Sequence, residues 1–364
     1  MTPTVTTMPM SFLHEAPPTR VVFAPGSLTC VPQEVDRLGA ERVLLVSGGP
    51  EAAHAERLIV DLGSRLAGRF TEVVMHVPVE VAGRAVEAAR GCNADLVIAL
   101  GGGSSTGVAK AIAKETGLRI LAVPTTYAGS EMTSIWGLTE AARKTTGRDP
   151  RVLPVSVVYD PELTLTLPAD ISAASGMNAM AHLVEGLYAP GVSPVSRLLA
   201  AEGVRALASS LPAVVRVPGD LGARSEALYG AWLAGWTLGT TGMGIHHKVC
   251  HVLGGAFDLP HSGVHSAVLP YATAYNAQAA PVAMALIEQA LLAAGRPAAP
   301  AATGLWDLTR EIGAPTSLAS VGFPADAIEE VADLIVAATV TNPRLPTGAD
   351  VRALLAAATT GERP

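Results

Sequence analysis

Four histidines and one asparagine are the residues whose types and spacing could do chemistry in this chain. His247 and His251 lie one helical turn apart in His246-His247-Lys248-Val249-Cys250-His251, and Pro260-His261 follows. Upstream, Asn178 and His182 repeat the same spacing, so each pair shares one face of a helix. A single histidine is ordinarily a surface residue or a satisfied core residue. Two such pairs, plus His261 on the loop after Gly254-Gly255 and Pro260, argue for convergence on one site. Three imidazoles with an open position make a zinc pattern, and Fe(II) is bound by imidazole with carboxylate. Asn178 decides between a metal cage and a set of proton donors. It stands where a hard-metal site would want a carboxylate, and its neutral amide weakens any divalent ion. The cluster then reads as neutral and protonated donors that polarise a carbonyl and stabilise a developing oxyanion. His246 faces elsewhere on the helix and reads as structural, while His265 stays open between the two readings. His14 and His54 read as surface residues and His76 as a strand-end residue.

The elements that must position this group divide the chain in two. Arg20–Phe23, Arg42–Val46, Glu72–Met75, Leu96–Leu100, Arg119–Val123 and Ser156–Tyr159 read as strands, with helical patterns over Glu51–Leu66 and Val81–Cys92. Runs of Val, Ile and Leu separated by helices imply a parallel sheet covered on both faces. From about Ala169 the pattern is almost wholly helical and rich in Ala and Leu, with Val195–Leu211, Arg224–Leu238 and Pro281–Ala294 at helical spacing. The Pro/Ala tract Arg296–Thr303 is the most loop-like interior stretch. The groove between sheet and helices is the expected cleft.

Gly101-Gly102-Gly103-Ser104-Ser105-Thr106-Gly107 follows one of those strands and leads into a helix over Val108–Lys114. Three glycines let backbone approach a pyrophosphate, and the helix start offers N–H groups to it. The loop has neither the GxGxxG spacing nor a GK[ST] ending, so it is not a standard Rossmann or Walker loop. A second turn, Ser47-Gly48-Gly49, carries no acid to hydrogen-bond an adenosine ribose and repel a 2′-phosphate. NADPH is therefore not excluded, and an NADH preference of several hundredfold would count against this reading. In Pro124–Thr133 the candidates to line nicotinamide and ribose are Thr125, Thr126, Tyr127 and Ser130.

Composition narrows the partners. A chain of 364 residues accommodates two domains, and 49% hydrophobic with 16% charged residues describes a globular protein. A net charge of −7 argues against a nucleic-acid surface but leaves room for a small anionic substrate. The lysines are Lys110, Lys114, Lys144 and Lys248, so Lys144 and Lys248 inside polar motifs stand out. Cys30, Cys92 and Cys250 show no zinc-type spacing, which suits a reducing cytoplasm. Met1–Pro18 is Thr/Pro/Met-rich and reads as a disordered extension rather than a signal peptide. No apolar stretch free of Gly and Pro is long enough to predict a membrane span.

Taken together, these strings resemble the iron-containing alcohol dehydrogenase superfamily, which includes dehydroquinate synthase-like folds, and within it the maleylacetate reductases. The resemblance is carried by Gly101–Gly107, Pro124–Thr139, Lys144–Pro154, Ser175–His182 and His246–His261, and it runs from Arg20 to the C-terminus, including Asn342-Pro343-Arg344. It implies an α/β dinucleotide-binding domain over 11–165 and an all-helical catalytic domain over 166–364, after an extension over 1–10. The positions matching the superfamily's metal ligands are Asn178, His182, His247 and His261. His251 matches a histidine that sits near the nicotinamide and relays protons. Two departures, Asn178 for an aspartate and Gly107 for an acidic residue at the end of the glycine loop, are features of maleylacetate reductases, which do not depend on iron.

The activity implied is NADH- or NADPH-dependent reduction of a C=C bond conjugated to a ketone in a six-carbon dicarboxylate, giving 3-oxoadipate in aromatic-compound degradation. Its residues would be His251 as proton donor, with His247, His261, His182 and Asn178 beside it. Ser47, Gly48, the Gly101–Ser105 loop and Lys144 join Thr125–Tyr127 and Ser130 on the cofactor side. Lys248, Lys144, Arg148 and Arg344 are candidates for the substrate carboxylates, although a helix turns Lys248 about 100° from His247. The resemblance also implies a cytoplasmic homodimer in which Arg20–Phe23 pairs across subunits, with no membrane or nucleic-acid partner. A metal-dependent alcohol dehydrogenase or carbonyl reductase, a dehydroquinate synthase-type lyase and a repurposed biosynthetic relative are the alternatives.

Overall fold

In a computed structural model the chain is described over residues 11–140, 143–257, 259–338 and 341–364, except for the side chains of 143 and 144. The extension expected over 1–10 lies outside the described residues. Residues 11–18 do not float free: His14 Nδ1 lies 3.0 Å from Ser193 Oγ and its ring packs on Trp236.

The first half is a six-stranded parallel sheet of β1 (Arg20–Phe23), β2 (Val43–Ser47), β3 (Leu66–Phe70), β4 (Leu96–Gly101), β5 (Arg119–Pro124) and β8 (Ser156–Tyr159). Its order is β1-β8-β5-β4-β2-β3. An antiparallel hairpin, β6 (Ile135–Glu140) with β7 (Arg143–Arg148), stands apart from it. Helices α1 (Val31–Arg37), α2 (Ala52–Leu62), α3 (Val79–Gly91) and α4 (Gly103–Thr116) cover the sheet. Alternate residues of β2 feed different cores: Leu44 and Val46 face α3 and α4, whereas Val43 and Leu45 face α1 and α2. Fully burying each such side chain contributes roughly 1.5–3 kcal/mol, and this is why the central strands read as unbroken apolar runs. β1 is an edge strand, the position that pairing across subunits would need.

One strand differs from its expectation. Glu72–Met75 is not a strand; Val74 and Met75 are exposed, and β3 lies upstream, paired with β2. An edge strand needs little apolar sequence, and Gly68 there lets β3 settle against Leu44 and Cys92. Val73 and Met75 of this apolar run instead form part of a cavity wall.

The second half contains α5 (Ala169–Tyr188), α6 (Pro194–Arg216), α7 (Leu221–Thr240), α8 (Ile245–Phe257), α9 (His261–Asn276), α10 (Pro281–Ala293), α11 (Ala301–Glu311), α12 (Ile328–Ala337) and α13 (Gly348–Thr360). The tract expected to be a loop at 296–303 already turns helical at Ala301. Helix α5 is buried on nearly every side because it carries small residues where its neighbours cross. A Cβ on Gly176 would meet Leu211 Cδ2 at 2.4 Å, and one on Gly186 would meet Thr237 Cγ2 at 2.2 Å. Helix α6 is long and apolar enough to cross a membrane by length and composition. It nevertheless packs in the core against α5 and α7 and carries Arg197, Glu202, Arg205 and Pro212.

The two halves meet through backbone. Gly129, in the loop after β5, has φ 79°, and a Cβ on Gly235 of α7 would lie 2.6 Å from its carbonyl oxygen. Beside this contact the buried Arg224 guanidinium donates to Ser172 Oγ at 2.7 Å, to Leu167 O at 2.9 Å and to Tyr127 Oη at 3.3 Å. Such a charge is tolerated in the interior only when its donors are met. Gly235→Ala should destabilise the protein by about 1–3 kcal/mol through overpacking. The measurement is the urea midpoint, and an unchanged midpoint would show that α7 and the loop separate freely.

Candidate active site

A cavity of about 840 Å³ opens between the carboxyl ends of the strands and the helical half. In an open parallel sheet this is where ligands are expected. One wall is the glycine loop, represented by Gly102, Gly103, Ser104 and Ser105; the opposite wall is Asn178, His182, His247, His251 and His261.

The loop geometry suits a pyrophosphate. β4 runs out at Gly101 with φ 140°, where any Cβ would strike Ser105 Oγ at 2.4 Å. A Cβ on Gly102 would meet Thr126 Cγ2 at 2.9 Å, so that residue must also stay bare. Helix α4 then begins at Gly103 with no side-chain cap among the described residues. Its first N–H groups and the positive end of its dipole are left for an anion. Gly107 has a separate reason: its Cβ would lie 2.7 Å from Val77 Cγ2, and Val77 itself has φ 46°. Val77 occupies the space into which an acid at 107 would project.

The imidazoles come together as their spacing predicts. α5 supplies Asn178 and His182, α8 supplies His247 and His251, and α9 begins at His261. His182 and His247 stack with centroids 5.0 Å apart, and His251 meets His247 edge-on at 6.0 Å. Asn342 anchors this end of α8 by accepting from Ile245 N at 3.3 Å and exchanging hydrogen bonds with Asn276. Behind the wall lie His246 and His265, fully buried, with His246 Nε2 3.0 Å from His265 O. His246 is thus structural, as expected, and His265 joins it.

Burial and neighbouring imidazoles depress the histidines. His182, His247 and His265 fall well below the usual range, and His246 falls to about 4. At neutral pH these rings are uncharged, so the expected mixture of neutral and protonated donors does not hold for them. Glu185, one turn after His182, was not foreseen. Its carboxyl, raised by burial, lies 2.6 Å from His247 Nδ1 and accepts from the backbone N–H of His246 at 2.9 Å. Ring and carboxyl hold each other in one orientation. Asn178 Oδ1, His182 Nδ1 and His247 Nε2 are buried without a hydrogen-bond partner among the described residues. Leaving such groups unpaired is costly, so the wall is built to receive a polar ligand.

The donor set fits a divalent metal poorly. The cavity-facing group joins an amide to the uncharged imidazoles of His182 and His247, and its carboxylate, Glu185, sits behind His247 rather than beside Asn178. Among the described residues, His246, His247 and His265 have ligand nitrogens within 4.8 Å of one another, and two of these lie outside the cavity.

The remaining expected residues divide. Gly48, Gly102–Ser105, Thr126, Ser130 and Arg148 line the cavity; Ser47, Gly101, Thr125 and Tyr127 do not. Tyr127 is fully buried and turned toward Arg224, because its ring is needed in the helical core. Lys248 lies off the cavity on the outer side of α8, as the helical rotation from His247 requires. Arg344 is committed to Asp350 and the Tyr275 ring. The Lys144 side chain lies outside the described residues. His76, expected at a strand end, sits in a turn at φ 65° and lines the cavity.

Lys110 was noted only as one of four lysines. It is buried at the cavity floor, where its ammonium donates to Ser130 O at 2.7 Å, Thr133 O at 2.8 Å and Ile135 O at 2.7 Å. Burial lowers it to about 7, yet every partner is an acceptor, which favours the ammonium form. It ties the loop after β5 to α4. Glu185 could have been found from its i,i+3 spacing to His182; Lys110 had no such signal.

The iron-containing alcohol dehydrogenase family model matches residues 18–161, and the model of the family's C-terminal region matches 172–359. Maleylacetate reductase of Burkholderia cepacia is 50% identical over 97% of this chain and 99% of its own. The crystal structure of maleylacetate reductase from Agrobacterium tumefaciens has a TM-score of 0.93 at 46% identity, covering 98% of this chain and 100% of that one. That from Rhizobium sp. strain MTP-10005 gives 0.92 at 46% identity, covering 97% and 99%. Near-complete coverage by both parts of the family, together with half-identity to full-length relatives, places this chain in the iron-containing alcohol dehydrogenase family of oxidoreductases, on the branch of the maleylacetate reductases.

Proposed function

We propose that this enzyme reduces the C=C bond of maleylacetate, or a substituted maleylacetate, to 3-oxoadipate in the breakdown of aromatic compounds, with NADH or NADPH as reductant and without a bound metal. The observation that carries this reading is the neutral wall of Asn178 and buried imidazoles, facing a phosphate loop across one cavity. The identity with named maleylacetate reductases supports the substrate.

The dinucleotide would lie with its pyrophosphate on Gly102–Ser105 and would supply a hydride to the alkene carbon β to the ketone. The ketone oxygen then gains the charge of an enolate. The Asn178 amide and the imidazoles of His182 and His261 stabilise that oxygen as preorganised donors. Glu185 holds His247 so that Nε2, which has no hydrogen-bond partner among the described residues, is left for substrate or water. His251, on the outer part of the wall, delivers a proton to the alkene carbon α to the ketone. Hydride and proton together saturate the bond and restore the ketone. Arg148, at the end of β7, is a cation on the cavity wall that can take a substrate carboxylate.

Three outcomes are expected. His251→Ala should lower kcat by roughly 10²-fold, whereas unchanged turnover would remove it from the mechanism. Arg148→Met should raise KM for maleylacetate about tenfold, the loss of one charge-assisted hydrogen bond, and an unaltered KM would leave the carboxylate to another group. Dialysis against a chelator should leave activity intact, while Asn178→Asp should make the purified protein retain iron or zinc by elemental analysis. Chelator inactivation reversed by metal would instead support a metal-dependent alcohol dehydrogenase.

A further inference from the structure

The turn after β2 carries no acid within Ser47-Gly48-Gly49, but the fold brings one to that place from three residues beyond Gly48. Glu51 ends the short 3-10 turn Gly49–Glu51 and lines the cavity. Its carboxylate turns back over the sheet and accepts from Thr125 Oγ1 at 3.1 Å. Two glycines make the room: a Cβ on Gly48 would lie 3.1 Å from Glu51 Oε2, and one on Gly101 would lie 3.2 Å from Glu51 Cδ. The carboxylate therefore occupies the volume that a side chain at the end of β2 would fill.

The strand order says which part of a dinucleotide comes here. The helical half approaches the sheet at the loop after β5, where a Cβ on Gly129 would lie 3.4 Å from His182 Nδ1. β4, with the glycine loop, is next in the sheet, and β2 lies beyond it. A ligand with its nicotinamide at the histidines and its pyrophosphate on α4 must extend its adenosine over the end of β2. The other described residues lining that end are Gly48, Gly49, Pro50, Val73, Met75 and His76, with no Lys or Arg among them. A carboxylate at this position accepts from the ribose hydroxyls and repels a 2′-phosphate, and no lysine or arginine on the wall there offsets the repulsion.

We infer that Glu51 is the ribose-reading acid of this enzyme, and that it selects NADH over NADPH. This rests on the dinucleotide assignment above and narrows it, since the sequence alone left both cofactors open.

The test is equilibrium binding of NADH and of NADPH, followed by nicotinamide fluorescence without any enone present. The expected result for the unaltered enzyme is a Kd for NADH at least tenfold below that for NADPH. Glu51→Gln should weaken NADH severalfold and tighten NADPH tenfold or more, opposite movements that a merely structural defect would not produce. Equal Kd values in the unaltered enzyme, or parallel weakening of both cofactors in Glu51→Gln, would overturn the inference. Failure of both dinucleotides to bind would overturn it along with the cofactor assignment. Tight NADH binding without turnover of maleylacetate would overturn the substrate reading alone.

Discussion

The backbone contact between Gly129 and Gly235 is the constraint on which the site depends. It sets the loop after β5 directly against α7, at a separation that no side chain at either position would allow. Because that loop also borders the glycine loop through Thr126 and Gly102, the phosphate cradle and the imidazole wall share one cavity. Lys110 and Arg224 hold the same loop from its two sides, one through backbone carbonyls and the other through Tyr127. A sheet and a helical bundle, each with its own core, are thereby joined at a fixed distance suited to one extended ligand.

Within that frame the chemistry follows from what burial does to charge. Six imidazoles in one region would repel one another if protonated, and desolvation removes that charge from the inner rings. A divalent cation is the usual partner of such a group, but Asn178 offers no charge to hold one and Glu185 is spent on orienting His247. What remains is a wall of neutral dipoles with several unpaired polar atoms. Such a wall favours an oxygen that becomes negative during reaction over an ion that is charged from the start. On the proposed reading, an amide at 178 in place of a carboxylate changes the kind of ligand the same geometry would receive.

The glycines show how closely two parts of the chain answer each other. Gly107 admits Val77, Gly102 admits Thr126, and Gly48 with Gly101 admits the Glu51 carboxylate. In each case a missing side chain on one element is filled by a side chain from another. Residue-by-residue reading of a motif sees the vacancy but not its occupant.

Local periodicity was enough for the central strands, the long helices and the two i,i+4 pairs, because each is decided by neighbours within one or two turns of the same element. That position 178 offers the cavity an uncharged amide was likewise legible, since residue type alone carries the charge. The edge strand β3 was not, because pairing with β2 rather than its own apolar content makes it a strand. Nor were Glu51 beside Thr125 or Lys110 beneath Ser130, whose partners lie far along the chain and meet only when neighbouring strands end side by side. Tyr127 lies off the cavity for the same reason, held by Arg224 far along the chain. Sequence spacing places a residue on an element, but packing of one element on another decides whether its side chain faces the cavity, the core or solvent.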